Sequence, residues 1–281
     1  LHEELLKRDV LHADETTLQV LHEPGKTAQS NSYMWLYRTS GDTSQPIVLY
    51  EYQPGRGACH PKTFLEGFKG YLHTDGYSGY HCLPNEIIVV GCWAHARRKF
   101  DEAIKSLPKG KAKNSSAAQG LAYCNLLFKI EEGLAGLSPE QRYDQRLKQA
   151  KPVLDAMLAW VNTRAAAPKS TLGKALSYLK EQWPYLLNYL KDGRLELSNN
   201  RAERSIKPFV IDRKNFLFAN TPSGAKSSAV IFSLIQTATE NGLDPYRYLT
   251  WLLSSAGEMD LPQSQNARLL LPWNAPAVCK V

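Results

Sequence analysis

The feature that most constrains this chain is a change of hydrophobic period near residue 92. Before it, five short runs, 9–16, 32–38, 47–52, 71–74 and 86–91, carry the β-branched and aromatic residues that suit a pleated, half-buried surface. After it, apolar residues recur every three or four positions. Leu121, Cys124, Leu127 and Leu134 form one such stripe, Leu147, Ala150, Leu154, Leu158 and Val161 a second, and Leu172, Leu176, Leu179, Trp183, Leu186 and Leu190 a third. The turn-forming stretch 40–46 joins the second and third runs, so the first three read as an antiparallel meander. A short helix predicted over 61–68 precedes the fourth, and a helix between strands favours a parallel crossover. The expected fold class is therefore α/β: a mixed sheet of element order βββαβαβ flanked by helices and interrupted by an all-helical insertion. The ends of strands one and four lie side by side if those strands are neighbours.

The 281 residues, 43% hydrophobic, exceed one modest domain and suffice for a sizeable core. The expected organisation is a first part of the core over 1–108, a helical insertion over 109–194 opening on a Lys/Gly/Ser-rich break, the rest of the core over 195–256 and a tail over 257–281. Pro152 and Pro184 mark starts or kinks inside the stripes, whose residues read as bundle packing. Residues 215–219 read as extended. A helix over 225–240 ends at Asn241-Gly242, and Asp244-Pro245 starts another. Pro262, Pro272 and Pro276 make the tail irregular, and no internal repeat is present.

The 34 Lys and Arg against 27 Asp and Glu give a net charge of +7, which favours a polyanionic partner. The five cysteines are odd in number and irregularly spaced, which fits a reducing compartment better than a disulfide framework. No apolar run has the length of a membrane span and no signal peptide precedes the first strand, so no membrane partner and a cytoplasmic location are expected. The chain opens at Leu1 in an amphipathic segment, as a piece of a longer protein would.

Three acids stand out against this frame. Asp75 lies in Gly70-Tyr71-Leu72-His73-Thr74-Asp75-Gly76-Tyr77-Ser78-Gly79-Tyr80, where a strand ends on an acid and a glycine-rich turn. Asp14 ends the first strand, and Glu203 falls in the first turn of a predicted helix. Phosphoryl transfer on DNA uses a pair of metal ions, and three carboxylates converging from separate elements can hold them. Taken singly, Asp14 is a polar strand-end residue and Asp75 a turn carboxylate. With Asn200 as N-cap, Glu203 completes a capping box, a role compatible with metal binding. Arg201, Arg204 and Lys207, then Arg213 and Lys214, read either as phosphate contacts or as a solvated basic face, and Arg97, Arg98 and Lys99 allow the same two readings. Trp93 reads as core, with stacking on a splayed base as the alternative. Cys92 and His95 have metal-ligand spacing but no tight second pair, Cys59-His60 and His81-Cys82 being the candidates, which disfavours a structural zinc. There is no Walker loop, dinucleotide fingerprint or nucleophile elbow.

Leu11-His12-Ala13-Asp14-Glu15-Thr16, His73-Thr74-Asp75-Gly76-Tyr77 and Cys92-Trp93-Ala94-His95-Ala96-Arg97-Arg98-Lys99-Phe100 resemble the bacterial insertion-sequence-66 family of DDE transposases. So do Asn199-Asn200-Arg201-Ala202-Glu203-Arg204, Arg213-Lys214-Asn215-Phe216-Leu217-Phe218-Ala219, Asn241-Gly242-Leu243-Asp244-Pro245-Tyr246-Arg247-Tyr248-Leu249 and Leu271-Pro272-Trp273-Asn274, in the same order along nearly the whole chain. The resemblance implies a ribonuclease-H-like fold with the helical insertion before the third acid. It implies Asp14, Asp75 and Glu203 as a triad binding Mg²⁺ or Mn²⁺, as two ions, in a DNA transposase that acts by strand cleavage and strand transfer. Arg97, Arg98, Arg201, Arg204 and Lys207 would then contact DNA, at element ends and at the target. Cys92 and His95 would buttress the site, and the protein would work as a homo-oligomer in a synaptic complex. A hydrolytic nuclease or resolvase of the same fold is the alternative enzyme, and a domesticated DNA-binding protein the alternative without chemistry. Full-length members of the family carry a zinc-binding region and a helix-turn-helix upstream, so recognition of element ends is expected outside this stretch.

Overall fold

The computed structural model describes residues 1–108, 110–259 and 264–281. Its elements run α1 (His2–Leu6), β1 (Val10–Gln19), β2 (Asn31–Thr39), β3 (Val48–Gln53), α2 (Cys59–Phe64), β4 (Gly70–His73), β5 (Ile87–Val90) and α3 (Trp93–Lys105). Then come α4 (Ser116–Gly133), α5 (Pro139–Asn162), α6 (Thr171–Leu186), α7 (Asn200–Phe216), α8 (Pro222–Glu240), α9 (Pro245–Glu258) and α10 (Ser264–Leu269), with short 3-10 turns between and after them. The fold is mixed α/β, and the sheet order is β3-β2-β1-β4-β5. β1, β2 and β3 form the expected antiparallel meander, with Asp14 opposite Leu36 and Leu36 opposite Tyr50. β4 and β5 are parallel, since Gly70 N bonds Glu86 O and Thr74 N bonds Val90 O at a constant offset. β1 and β4 are indeed neighbours.

The chain divides into two compact units whose boundaries run through β4, β5 and the start of α7. The first holds Leu1–Leu72, Ser78–Ile87 and Arg201–Val281, the second His73–Tyr77 and Ile88–Asn200. In the first unit, alternate residues of β1 to β3 give two buried faces. Leu18, Val20, Met34, Leu36, Val48, Tyr50 and Tyr52 pack beneath Ala202, Ile206 and Phe209 of α7 and Ala225 and Ala229 of α8. On the other face Tyr37 stacks on Phe64 of α2 at 3.7 Å between ring centroids, and Trp35 meets Tyr80 edge-on at 5.9 Å. An edge strand needs partners for its outward amides. For β3 they are side chains of α8: Val48 N donates to Thr237 Oγ1 at 3.0 Å and Tyr50 N to Ser233 Oγ at 2.7 Å.

In the second unit α3 to α6 pack as helices, and α4, α5 and α6 each start on a serine N-cap: Ser115, Ser138 with a capping box to Gln141, and Ser170. α4 approaches α3 closely through Gly120, where an added Cβ would lie 2.3 Å from Phe100 Cε1. Arg146 of α5, fully buried, donates to both carboxylate oxygens of Glu131 at 2.8 and 2.7 Å. It also donates to the carbonyls of Tyr189, Asp192 and Leu195. Most stripe residues are packing residues, with Cys124, Leu127, Leu154, Leu179 and Leu186 all buried, whereas Leu147 is 38% exposed.

Four local expectations change. β1 runs on to Gln19, so Asp14 sits mid-strand instead of at the strand's end; Thr16, Thr17 and Leu18 continue the alternation and pair with β2 down to Asn31. Asn200 is the first helical residue of α7, which moves the cap position to Asn199; two adjacent asparagines suit either position equally. α7 continues through Phe216, where an extended run was expected. After Gly257 the described residues form α10 and two short 3-10 turns, and Cys279 is buried with Ala238, Leu243 and Tyr248. Pro262 lies outside the described residues.

Candidate active site

Alternation along β1 places His12, Asp14, Thr16 and Leu18 on the face that α7 covers, and Leu11, Ala13, Glu15 and Thr17 on the other. One carboxylate oxygen of Asp14 accepts the Glu15 amide at 2.8 Å, which sets the carboxylate's direction. The adjacent Glu15 has a different task. Its side chain, 1% exposed, accepts from Arg56 Nε at 2.7 Å and from the Tyr80 hydroxyl at 2.6 Å. Burial, with Glu15 beside it, pushes the Tyr80 hydroxyl far above its ordinary pKa, so Tyr80 remains a donor.

Glu203 lies in the first turn of α7, between the fully buried Ala202 and the buried Ser205. Polar bonds fix this helix on the sheet at both ends. Arg38 of β2, 2% exposed, donates to Ser205 Oγ and forks onto Glu240 of α8 at 3.0 and 2.9 Å, while the Tyr50 hydroxyl donates to the Ser205 carbonyl. Arg213, in the last turn, donates to Thr16 Oγ1 at 3.0 Å and to the Thr17 carbonyl. Burial works to raise the pKa of Glu240, but the Arg38 hydrogen bonds and charge, with Arg201 and Arg204 adding, leave it lowered. Arg201 lies against the 41–42 turn, where a Cβ on Gly41 would be 2.2 Å from Arg201 Nη2. Arg204 and Lys207 are exposed. The first unit thus brings Asp14 and the helix bearing Glu203 to one face of its sheet.

Asp75, in the second unit, follows β4 on a turn that requires glycine: Gly76 has φ 97°, and a Cβ there would lie 2.9 Å from Gln182 Oε1. One Asp75 oxygen accepts the Tyr77 amide at 2.9 Å. The turn's own carbonyls are held by α6, with the Tyr178 hydroxyl on Asp75 O at 3.0 Å and Gln182 Nε2 on Gly76 O at 3.4 Å. Sequence reasoning missed both residues, because the helical stripe of α6 pointed only to packing. The one trace in the sequence is Gln182 itself, a polar residue set among Leu179, Trp183 and Leu186, and it does not name its partner. Burial raises the Tyr178 pKa, Cys92 and Asp75 add to the rise, and Arg98 opposes it.

Cys92 is the N-cap of α3 and its Sγ accepts the Asn199 amide at 3.1 Å, fixing the residue that immediately precedes α7. His95 is half-buried in the first turn of α3. Arg97 and Arg98 are both exposed, and Arg97 bonds Asn125 Oδ1 of α4 at 2.6 Å and lies over the Phe128 ring. Among the described residues no helix is long and apolar enough to cross a membrane.

The sequence matches the family described as Transposase IS66 family over residues 1–227 and the IS66 C-terminal element over residues 233–273. It is similar to the uncharacterized proteins y4qI and y4hP of Sinorhizobium fredii, with 34% identity over 278 residues and 30% over 282. These alignments cover 93% and 94% of the chain but 50% of each relative, so the chain spans about half the length of the curated relatives it matches. No solved structure matches it. Both family matches run in chain order, and the first includes Asp14, Asp75 and Glu203: the chain belongs to the IS66 family of transposases.

Proposed function

We propose that this chain is the catalytic domain of a DNA transposase, a polynucleotidyl transferase of ribonuclease-H-like fold in which Asp14, Asp75 and Glu203 form the acidic triad. The observation that carries this reading is Asp14 on the sheet face covered by α7, the helix whose first turn holds Glu203. The three side chains offer only oxygen donors, the ligand chemistry of Mg²⁺ and Mn²⁺. An amide bond to one oxygen of Asp14 and another to one of Asp75 orients those carboxylates in advance. Two such ions, when bound, activate the attacking oxygen and stabilise the leaving one.

The protein's own part is to hold these ligands and to position DNA. Arg204 and Lys207, exposed within about a turn of Glu203, contact phosphates, as do Arg201 and the exposed Arg98 of α3. Arg97, exposed on the same helix, does so too while bonded to Asn125. Cys92 steadies the entry to α7 through Asn199. Water cleaves a strand at the element end and the freed 3′ hydroxyl attacks target DNA, without a covalent enzyme intermediate. Bringing two ends together calls for a homo-oligomer. The test is a strand-transfer assay with pre-cleaved ends in Mg²⁺, comparing the wild type with Glu203→Gln. Joined product that disappears in the variant is expected. Cleavage without joining would indicate a nuclease, and DNA binding without either reaction a domesticated binding protein.

A further inference from the structure

The exposed face of α7 changes character along its length. Arg204, Lys207, Ile211 and Lys214, all exposed, are spaced three and four apart and so share one face, with Asp212 as the acid beside them. This stripe leads from Glu203 to a cluster of exposed apolar side chains: Phe216 at 38%, Leu217 at 62% and Phe218 at 41% exposure. Three adjacent exposed apolar residues at the end of a basic helix face form a patch, and exposed apolar patches mark binding sites.

The cluster is also held rigidly. Leu217 has φ 63°, the only positive value for a residue other than glycine among those described, and Phe218 N bonds Phe216 O at 2.7 Å, so Leu217 is the centre of a strained three-residue turn. The next residues are stitched to the end of β1, with Ala219 N on Gln19 O at 2.9 Å, Leu21 N on Ala219 O at 3.0 Å and His22 N on Asn220 O at 3.0 Å. Beneath the tip is a pocket of about 280 Å³ bounded by Phe209, Phe216, Phe218, Asn220, Gly224 and Ser228. Three phenylalanines contribute one part of its lining, and Asn220 and Ser228 another. Gly224 keeps it open, since a Cβ there would meet only Thr221 Oγ1, at 3.6 Å.

We propose that this pocket takes one unpaired nucleobase of a DNA strand whose phosphates run along the Arg204, Lys207 and Lys214 face, with Phe216 or Phe218 stacking on the base. The proposal rests on the DNA-transposase reading above and adds a base-binding subsite to it. Its size suits one base, falling just below the range of pockets that hold drug-sized ligands. Aromatic faces stack on any base, and the Asn220 carboxamide and Ser228 hydroxyl match a base's hydrogen-bonding edge. From Glu203 the helix carries the pocket about 20 Å, a span of roughly six base steps.

The test titrates this chain with a short duplex and with the same duplex carrying one bulged 2-aminopurine, at two salt concentrations, following anisotropy and 2-aminopurine fluorescence. The bulged duplex is expected to bind roughly tenfold tighter, with quenching of the base. Phe218→Ala and the pocket-filling Gly224→Leu should each abolish the preference while leaving paired-duplex affinity and its salt dependence unchanged, and Phe218→Trp should retain it. Equal affinity for the two duplexes in the wild type, or a preference that survives both disabling variants, would overturn the proposal while leaving the catalytic reading in place. A concentration-dependent dimer lost in Leu217→Glu, together with equal affinity for the two duplexes, would assign the cluster to a second copy of the chain instead. Failure to bind any DNA would remove both this proposal and the reading on which it rests.

Discussion

Asp14 and Asp75 are placed by opposite means. Asp14 sits inside a strand paired along its length with β2, so its backbone is fixed by the ladder and its direction by the pleat. Asp75 lies beyond the end of a four-residue strand, on a turn whose carbonyls are held by Tyr178 and Gln182 of α6. The first unit positions an acid with secondary structure, and the second with side chains from a distant stretch of sequence. α6 therefore has a local task as well as a packing one: it is the brace of the Asp75 turn.

The largest expected effect treats the two acids alike. Asp14→Asn and Asp75→Asn, with Glu203→Gln, should each remove cleavage in Mg²⁺ by several kcal/mol of barrier, because a lost ligand removes metal charge stabilisation. Circular dichroism and melting should remain close to wild type. Near-wild-type cleavage by any one variant would exclude that residue from the triad.

Each unit also encloses one buried arginine paired with a carboxylate, and here the units should differ. Arg146 is fully buried and Glu131 is 15% exposed, so Arg146→Met strands a carboxylate with little water and should destabilise by about 3–5 kcal/mol. Glu240, the partner of Arg38, is 36% exposed and can hydrate, so Arg38→Met should cost only about 2 kcal/mol. Urea unfolding of the two variants checks the order, and a larger loss for Arg38→Met would reverse the comparison.

These contrasts mark what could be read in advance. The strands and the helical stripes were legible, since periods of two and of 3.6 are local signals, and Asp14, Asp75 and Glu203 stood out as candidates. The length of β1 was not, because Thr17 suits a strand or a turn until Tyr33 is known to lie opposite. The brace on Asp75 was hidden for a stronger reason. Tyr178 and Gln182 stand 103 and 106 residues from the carbonyls they hold, and no local pattern announces such a bond. The pocket under Phe218 was likewise beyond reach, since Phe216 and Phe218 were read as part of an extended segment.

Gly76 gives a direct way to loosen the brace. Gly76→Ala places a Cβ 2.9 Å from Gln182 Oε1 at φ 97° and should destabilise by about 1–3 kcal/mol. Cleavage should fall further than stability alone accounts for, because the displaced turn carries Asp75. If cleavage per folded molecule stayed at the wild-type level, the α6 contacts would be packing only.

The smallest effect concerns the sheet face away from α7, where Glu15 and Glu51 flank Trp35 across three strands. Glu15 is matched by Arg56, but among the described residues Glu51 has only the Gln53 amide, at 2.8 Å, and burial raises its pKa to about 7 against that bond. Below about pH 4.5 Glu51 is protonated folded or unfolded and contributes no pH dependence. Between there and about 7 the unfolded chain has released the proton while the folded one keeps it, so stability falls as pH rises through this window. A tenfold difference in proton affinity between the two states corresponds to about 1.4 kcal/mol, and the partial exposure of Glu51 reduces the total to about 1–2 kcal/mol. Glu51→Gln keeps the acceptor for Gln53 and removes the titration. The variant should therefore gain that much stability relative to wild type between pH 5 and pH 8. Urea unfolding of both proteins across the interval measures the gain, and a constant difference would show that Glu51 ionises as readily in the folded chain as in the unfolded one.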